Sequence, residues 1–289
     1  MSVRWGVLVA IYLAFGLFGA WYLVDTTAVG ADLATYQRAG EALWTTGDPW
    51  AASAAFPEDY QYRYPPLLAM VIPVLGWAPV WFGLVGAATL VPLVVAYRVA
   101  GPAGLLPAAL LVGAWGQQLL NGNAQAFVVA ILVLVPFAGR TGAIGLAIAT
   151  MLKIHPVLAL AWFIGRRDWS GMAWFAAAIV ALTVIQLPWL PGMIDFYLND
   201  PSATETIPGM SLRAIGPVPW LIGTVMVGVA AVWLARTRYG WLLATILQLV
   251  ALPRVLLVNL ALLLAAPLPR RDRPESPEGR PQAPSATAG

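Results

Sequence analysis

Residues 149–160 read ATMLKIHPVLAL and hold the only lysine of the chain, Lys153, and its only histidine, His155. Both lie in a stretch otherwise suited to a lipid interior. Pro156 disfavours helix at His155 and suits the first position of a new helix. The apolar run should therefore break at Lys153-Ile154-His155-Pro156 and resume at once. Arg140 and Arg166 flank the run, and basic loop residues gather on the cytoplasmic side of a membrane. With both arginines on that side, residues 141–165 must go up and come back. Lys153 and His155 then occupy the outward or mid-membrane tip of a helical hairpin.

The composition fits that reading. The chain has 289 residues, of which 60% are hydrophobic and 10% charged, with a mean hydropathy of +0.77. Soluble domains carry about 25% charged residues. The fold class expected is all-α: a polytopic transmembrane helix bundle of about 9–11 helices, several short or broken. Candidate spans are residues 5–24, 66–77, 79–98, 103–120, 123–138, 142–153, 156–166, 171–188, 213–235, 239–251 and 254–268. Residues 5–24 follow Arg4 and read as an uncleaved first span rather than a signal peptide. Several pieces are too short to cross a core of about 30 Å alone. Such pieces are tolerated where they are buried in protein or line a cavity. Residues 66–77 could be re-entrant, which leaves the crossings between 66 and 98 open. No cysteine is present, so disulfides and thiolate metal sites are excluded. The net charge of +3 comes from arginines at the ends of apolar runs and suits membrane orientation better than nucleic acid.

One membrane domain, residues 1–268, is expected with outer loops at 25–65 and 189–212. A Pro-rich polar segment, 269–289, reads as a disordered cytoplasmic tail. Arg166 with Arg167, Arg236 with Arg238, and Arg270 with Arg271 should all lie inside. A break at Leu252-Pro253-Arg254 then places Arg254 at a second outward tip. A third break, Asn121-Gly122-Asn123, has Gln117, Gln118 and Gln125 beside it and falls at the same level. Cations and amides thus converge near the outer face, by new helix N-termini that favour anions.

The first outer loop begins GADLATYQRAGEALWTTGDPW. Asp32 suits the N-cap of a short helix from Leu33 to about Trp44, whose apolar Leu33, Tyr36, Leu43 and Trp44 would rest on the membrane surface. Asp32 could also be a carboxylate base just outside the membrane. Tyr60, Tyr62 and Tyr64 with Trp50 form an aromatic cluster at interface height, and Arg63 among them could clamp an anion or snorkel. An ionisable group within apolar segments usually marks a site, which singles out Lys153 and His155 against the plain alternatives of snorkelling and a hydrogen-bonded structural histidine. One His and no Cys would leave carboxylates to supply the other ligands of a metal site, which argues against one.

Several motifs occur in one order: DLATYQRAG, GDPW, YRYPPL, GQQLLNGNAQ, LKIHP, RRDW and LPRVLLVNLALLLAAPL. In that order, over about residues 30–268, the chain resembles the polytopic membrane glycosyltransferases of the GT-C architecture. More narrowly, it is similar to the bacterial polyprenol-phosphate-mannose-dependent alpha-mannosyltransferases. The resemblance implies an enzyme that uses a polyprenyl-phosphate-linked sugar as donor and a lipid or glycan as acceptor, on the outer face of the plasma membrane, with no cofactor. Asp32 matches the position of the general base, and His155 is a second catalytic candidate that could protonate the leaving phosphate or orient the acceptor. Lys153, Arg254 and Arg63 become the cations for the phosphate, with Tyr36, Tyr64, Gln117, Asn121 and Asn123 as further substrate-binding candidates. Membrane lipids would surround the chain, and no nucleic-acid partner is expected. The chain is short for this family and has no obvious second acidic partner for Asp32. A lipid or small-solute transporter or flippase and a non-catalytic membrane partner subunit are the alternative readings.

Overall fold

The computed structural model describes residues 29–50, 61–199, 211–253 and 255–267. The expected span 5–24, Glu58, Asp59 and Tyr60, much of the second outer loop, Arg254 and the tail 269–289 lie outside the described residues. Among those described, every regular element is helical and none is a strand. Helix α1 spans Ala31–Thr45, α2 Pro66–Leu75, α3 Ala78–Ala100, α4 Leu106–Leu110, α5 Val112–Asn121 and α6 Gln125–Leu134. Helix α7 spans Gly139–Leu152, α8 Leu160–Arg166, α9 Trp169–Gln186, α10 Leu190–Asn199, α11 Pro217–Trp233 and α12 Gly240–Ala251.

The opening stretch folds as its proline dictates. Helix α7 ends at Leu152, Lys153 is its C-cap in an extended conformation, and Pro156 opens a 3-10 turn, His155–Ala159, that runs into α8. The amide-rich break also forms. Helix α5 ends on Gly122, whose φ of 69° lies in the left-handed region, where a Cβ is penalised. Helix α6 starts three residues later.

Six expectations change. The N-cap of α1 is Gly30, without a side-chain cap, and Asp32 lies in the first turn. Its carboxylate is free of capping because it bonds across to Asn123. Leu33, Tyr36 and Leu43 face protein rather than a membrane surface and are at most 4% exposed, whereas Trp44 is exposed. Gly40 lets α1 sit on α2, since a Cβ there would lie 2.4 Å from Ile72 Cγ2 and 3.0 Å from the Ala69 carbonyl oxygen. The aromatic cluster is likewise interior: Tyr62 and Trp50 are buried, Tyr62 donating to Pro65 O and Trp50 stacking on Phe196.

Residues 103–120 are not one helix. Gly101 (φ 62°, ψ −155°), Pro102 and Pro107 impose a 3-10 segment and the short α4 before α5. Residues 190–199 are helix rather than loop, joined to α9 through a 3-10 turn at Leu187–Trp189, because Phe196 packs on Trp50 and Tyr197. The last apolar run forms a 3-10 helix, Leu257–Ala265. Its carbonyls are drawn to side chains of neighbours, Val258 O to Gln118 and Ala265 O to Trp241.

Among the described residues, two helical stretches are long and apolar enough to cross a membrane: Ala78–Leu110, with a hydropathy of 2.0, and Trp169–Asn199, with 1.8. The other apolar helices are shorter. Helix α11 exposes Leu221, Val225, Met226 and Val229, and α9 exposes Val180, Val184 and Ile185. The buried core is built around Trp81, Leu132, Leu146, Phe163 and Leu262.

The helices run between two chemically distinct ends. At one end, α5 meets α6 and α7 meets the 3-10 turn, and there Asn123 contacts Lys153 and His155 contacts Gln248 near the end of α12. Gln186, at the end of α9, reaches the same end and accepts from Leu67 N, which starts α2. At the other end Val99, Phe137, Arg166, Arg238 and Pro267 share one cavity. Helices α1 and α2 lie across the first end.

Candidate active site

The breaks after α5 and after α7 deliver polar side chains to the first end. Asn123 follows the left-handed Gly122 and is buried. Its Oδ1 accepts at 2.7 Å from Gln125 N, the first residue of α6. The same oxygen accepts from Lys153 Nζ at 3.1 Å, and Nδ2 donates to Asp32 Oδ2 at 2.8 Å. One amide therefore joins a carboxylate from α1 to an ammonium from the end of α7. The C-terminal carbonyls of α7 favour a cation at Lys153, which is 7% exposed. The Tyr64 ring lies beneath Lys153 Nζ at 5.0 Å, a further attraction for the cation.

The tyrosines are held from several sides. Tyr36 accepts from Ala124 N at 3.2 Å and packs edge-on against Tyr64 and Trp81, with ring centres 5.6 and 5.9 Å apart. Trp81 Nε1 donates to Gly122 O at 2.7 Å. Burial pushes the phenols of Tyr36 and Tyr64 up, so both remain neutral hydrogen-bonding groups. Trp50 Nε1 fixes the Tyr64 backbone by donating to its carbonyl at 3.2 Å.

Asp32 is only half-buried, so one side of the cluster is open. Burial raises its carboxyl above the ordinary 3.8, while Lys153 and the amides of Asn123 and Asn121 pull it back down. A base raised by desolvation and held ionised by a nearby cation is suited to take a proton near neutral pH.

His155 is within electrostatic reach of Lys153. Gln248 Nε2 donates to Ala244 O, which turns Oε1 towards His155 Nδ1 at 3.3 Å. With Gln248 in this orientation, the neutral tautomer that carries its hydrogen on Nδ1 makes this bond and leaves a lone pair on Nε2. That Nε2 is buried and without a partner, as are Asn121 Oδ1 and both amide atoms of Gln125.

Asp32, Tyr36, Tyr64, Asn121, Asn123 and Lys153 are thus brought together, with His155 beside them. Arg63 is adjacent to Tyr64, but its guanidinium bonds Gln61 at 3.2 Å and its carbonyl accepts from Tyr197 at 2.9 Å. Gln117 remains half-buried one turn back on α5. Arg254 lies outside the described residues. The residues that sequence reasoning missed are Trp81, Gln186 and Gln248. A lone amide within an apolar run was the available signal for Gln248 in LLATILQLVA and for Gln186 in ALTVIQLPWL. Among the described residues, no group of three His, Asp or Glu could hold a metal ion.

No family model matches the chain, and no curated protein or solved structure matches it either.

Proposed function

We propose that the chain is a multi-pass plasma-membrane glycosyltransferase of the GT-C type. It moves a sugar, mannose in the family it resembles, from a polyprenyl-phosphate donor to a lipid or glycan acceptor. The observation that carries this reading is the Asp32–Asn123–Lys153 unit: a half-open carboxylate and a buried ammonium joined by one amide. An exposed carboxylate alone would be ordinary. A base and a cation held together in this way match the two charges that sugar transfer develops.

The acceptor oxygen attacks the anomeric carbon as the bond from that carbon to the phosphate oxygen breaks, with inversion. Asp32 takes the proton of the acceptor hydroxyl. The polyprenyl phosphate leaves with the electron pair, and the Lys153 ammonium stabilises its growing charge. His155 Nε2, with its lone pair, accepts a hydrogen bond from a substrate hydroxyl and so orients it, rather than protonating the phosphate.

Charge supports the orientation. Arg98, Arg140, Arg166, Arg167, Arg236 and Arg238 belong to the end opposite Asp32. Asp32, Glu41, Asp48 and Asp195 lie on elements at or across the Asp32 end, together with Arg38, Arg63, Lys153 and Arg213, so that end is balanced, whereas Asp168 is the one carboxylate described near the arginines. On the positive-inside rule, the arginine end is cytoplasmic and Asp32 faces outward. The exposed apolar sides of α3, α9 and α11 suit contact with lipid.

The test is transfer of label from radiolabelled polyprenyl-phosphate-mannose to a membrane lipid extract by the purified chain. A labelled product is expected. An intact donor with no product, over several extracts, would favour the flippase or partner-subunit readings instead.

A further inference from the structure

A cavity of about 230 Å³ opens at the arginine end, away from Asp32. It rests on the membrane reading above but not on the transferase reading. Its floor is aromatic: Trp162 and Trp241 meet edge-on with ring centres 5.2 Å apart. Two arginines stand at its rim. The Arg166 guanidinium lies 4.7 Å over the Trp162 ring, and that of Arg238 lies 4.5 Å over the Tyr239 ring and bonds its hydroxyl. Stacking restrains each guanidinium while its remaining N–H groups stay available to an anion. Asp168 is nearby, but its Oδ1 is occupied by Gly171 N at 2.8 Å as the cap of α9.

The remaining wall is apolar and continues outward. Val99 and Pro136 line it, and Phe137 both lines it and is 63% exposed. Leu134, one turn back, is 44% exposed. A site for a free anion would have no use for an apolar exit, whereas an amphiphile needs both parts. We propose that this cavity seats the headgroup of an anionic glycerophospholipid, its phosphate between Arg166 and Arg238 and one acyl chain leaving along Phe137. Basic pockets between spanning helices on the cytoplasmic side suit such headgroups, and planar guanidinium groups bind phosphate in bidentate fashion.

The test uses the detergent-purified full chain and native mass spectrometry, with phosphatidylglycerol and phosphatidylcholine of identical chains. Phosphatidylglycerol should be retained about tenfold more strongly, and Arg166→Gln with Arg238→Gln should abolish that preference, since charge-assisted hydrogen bonds are lost. Arg98→Gln with Arg140→Gln removes equal charge from the same end and should leave the preference intact. Inorganic phosphate at millimolar concentration should not displace the lipid. Equal retention of the two lipids, an equal loss in both double variants, or displacement by phosphate would each overturn the site. If the cavity double variant does not unfold like wild type, Arg166→Lys alone decides. It keeps the charge but loses the fork, so a roughly threefold drop is expected, and unchanged binding overturns the site. Extraction of cell membranes with alkaline carbonate separates the two readings. Release of the chain refutes the membrane reading, whereas a retained chain without lipid preference refutes this site alone.

Discussion

Asp32 carries the largest chemical demand in the molecule, and its surroundings set how it titrates. Burial raises its carboxyl pKa above 3.8, opposed by Lys153 and the amides of Asn123 and Asn121. The base form disappears as pH falls through that raised value, so the acid limb of the kcat/KM profile should lie above 3.8. A limb at or below 3.8 would mean that another group limits the rate. The same shift has a sign for stability. A raised folded pKa contributes stability that is complete below the unfolded value and lost as pH rises through the folded one. Ionised Asp32 therefore costs stability at neutral pH, and Asp32→Asn should unfold at no lower a temperature than wild type. Asn123 behaves differently because it both holds the first backbone N–H of α6 and joins the two charges. Asn123→Ala should cost about 1–2 kcal/mol of stability through the lost hydrogen bonds of a buried amide and slow transfer by about a hundredfold. Thermal unfolding and initial rates read the two effects separately. Normal transfer by Asn123→Ala would remove the amide from the site.

Helices hold these residues in register through a few close contacts. Gly122 has a φ of 69°, and a Cβ there would lie 3.1 Å from Trp81 Nε1 and 3.3 Å from the Leu33 Cβ. Gly122→Ala should therefore cost about 1–2 kcal/mol for the backbone alone. It should also lower transfer, because the α5–α6 break aims Asn123. Gly40→Val tests the seat of α1: with Ile72 Cγ2 already 2.4 Å from a Cβ, α1 must lift from α2 and carry Asp32 with it. Weaker transfer with donor affinity preserved is the expected result. Much at this scale was legible. Pro156 announced the break after Lys153, and Asn121-Gly122-Asn123 announced the second one. The partner of each apolar face was not legible, because helical periodicity shows that Leu33, Tyr36 and Leu43 share a side without saying what covers it. Nor could spacing along the chain show that Asn123 bridges Asp32 and Lys153, since those bonds span 91 and 30 residues. The role of Asp32 as a cap was the natural reading of a polar residue before an apolar helix, but the left-handed Gly30 ends that role.

Among the described residues, arginines crowd one end while the other end holds carboxylates and cations alike, and apolar helices wrap the polar cluster. Composition alone announced the helical class, whereas the division of run 103–120 into α4 and α5 and the 3-10 form of the last run depended on prolines and on side chains from distant elements. Helices α9 and α11 expose apolar faces along most of their length, so the chain should remain in the membrane pellet after alkaline carbonate extraction. The most direct measurement compares wild type with Asp32→Asn, both shown to be folded, for transfer of label from radiolabelled polyprenyl-phosphate-mannose to a membrane lipid extract. Transfer by wild type with a loss of at least about a hundredfold in Asp32→Asn is expected for a general base. Equal transfer by both proteins would contradict the assignment of Asp32 as the base.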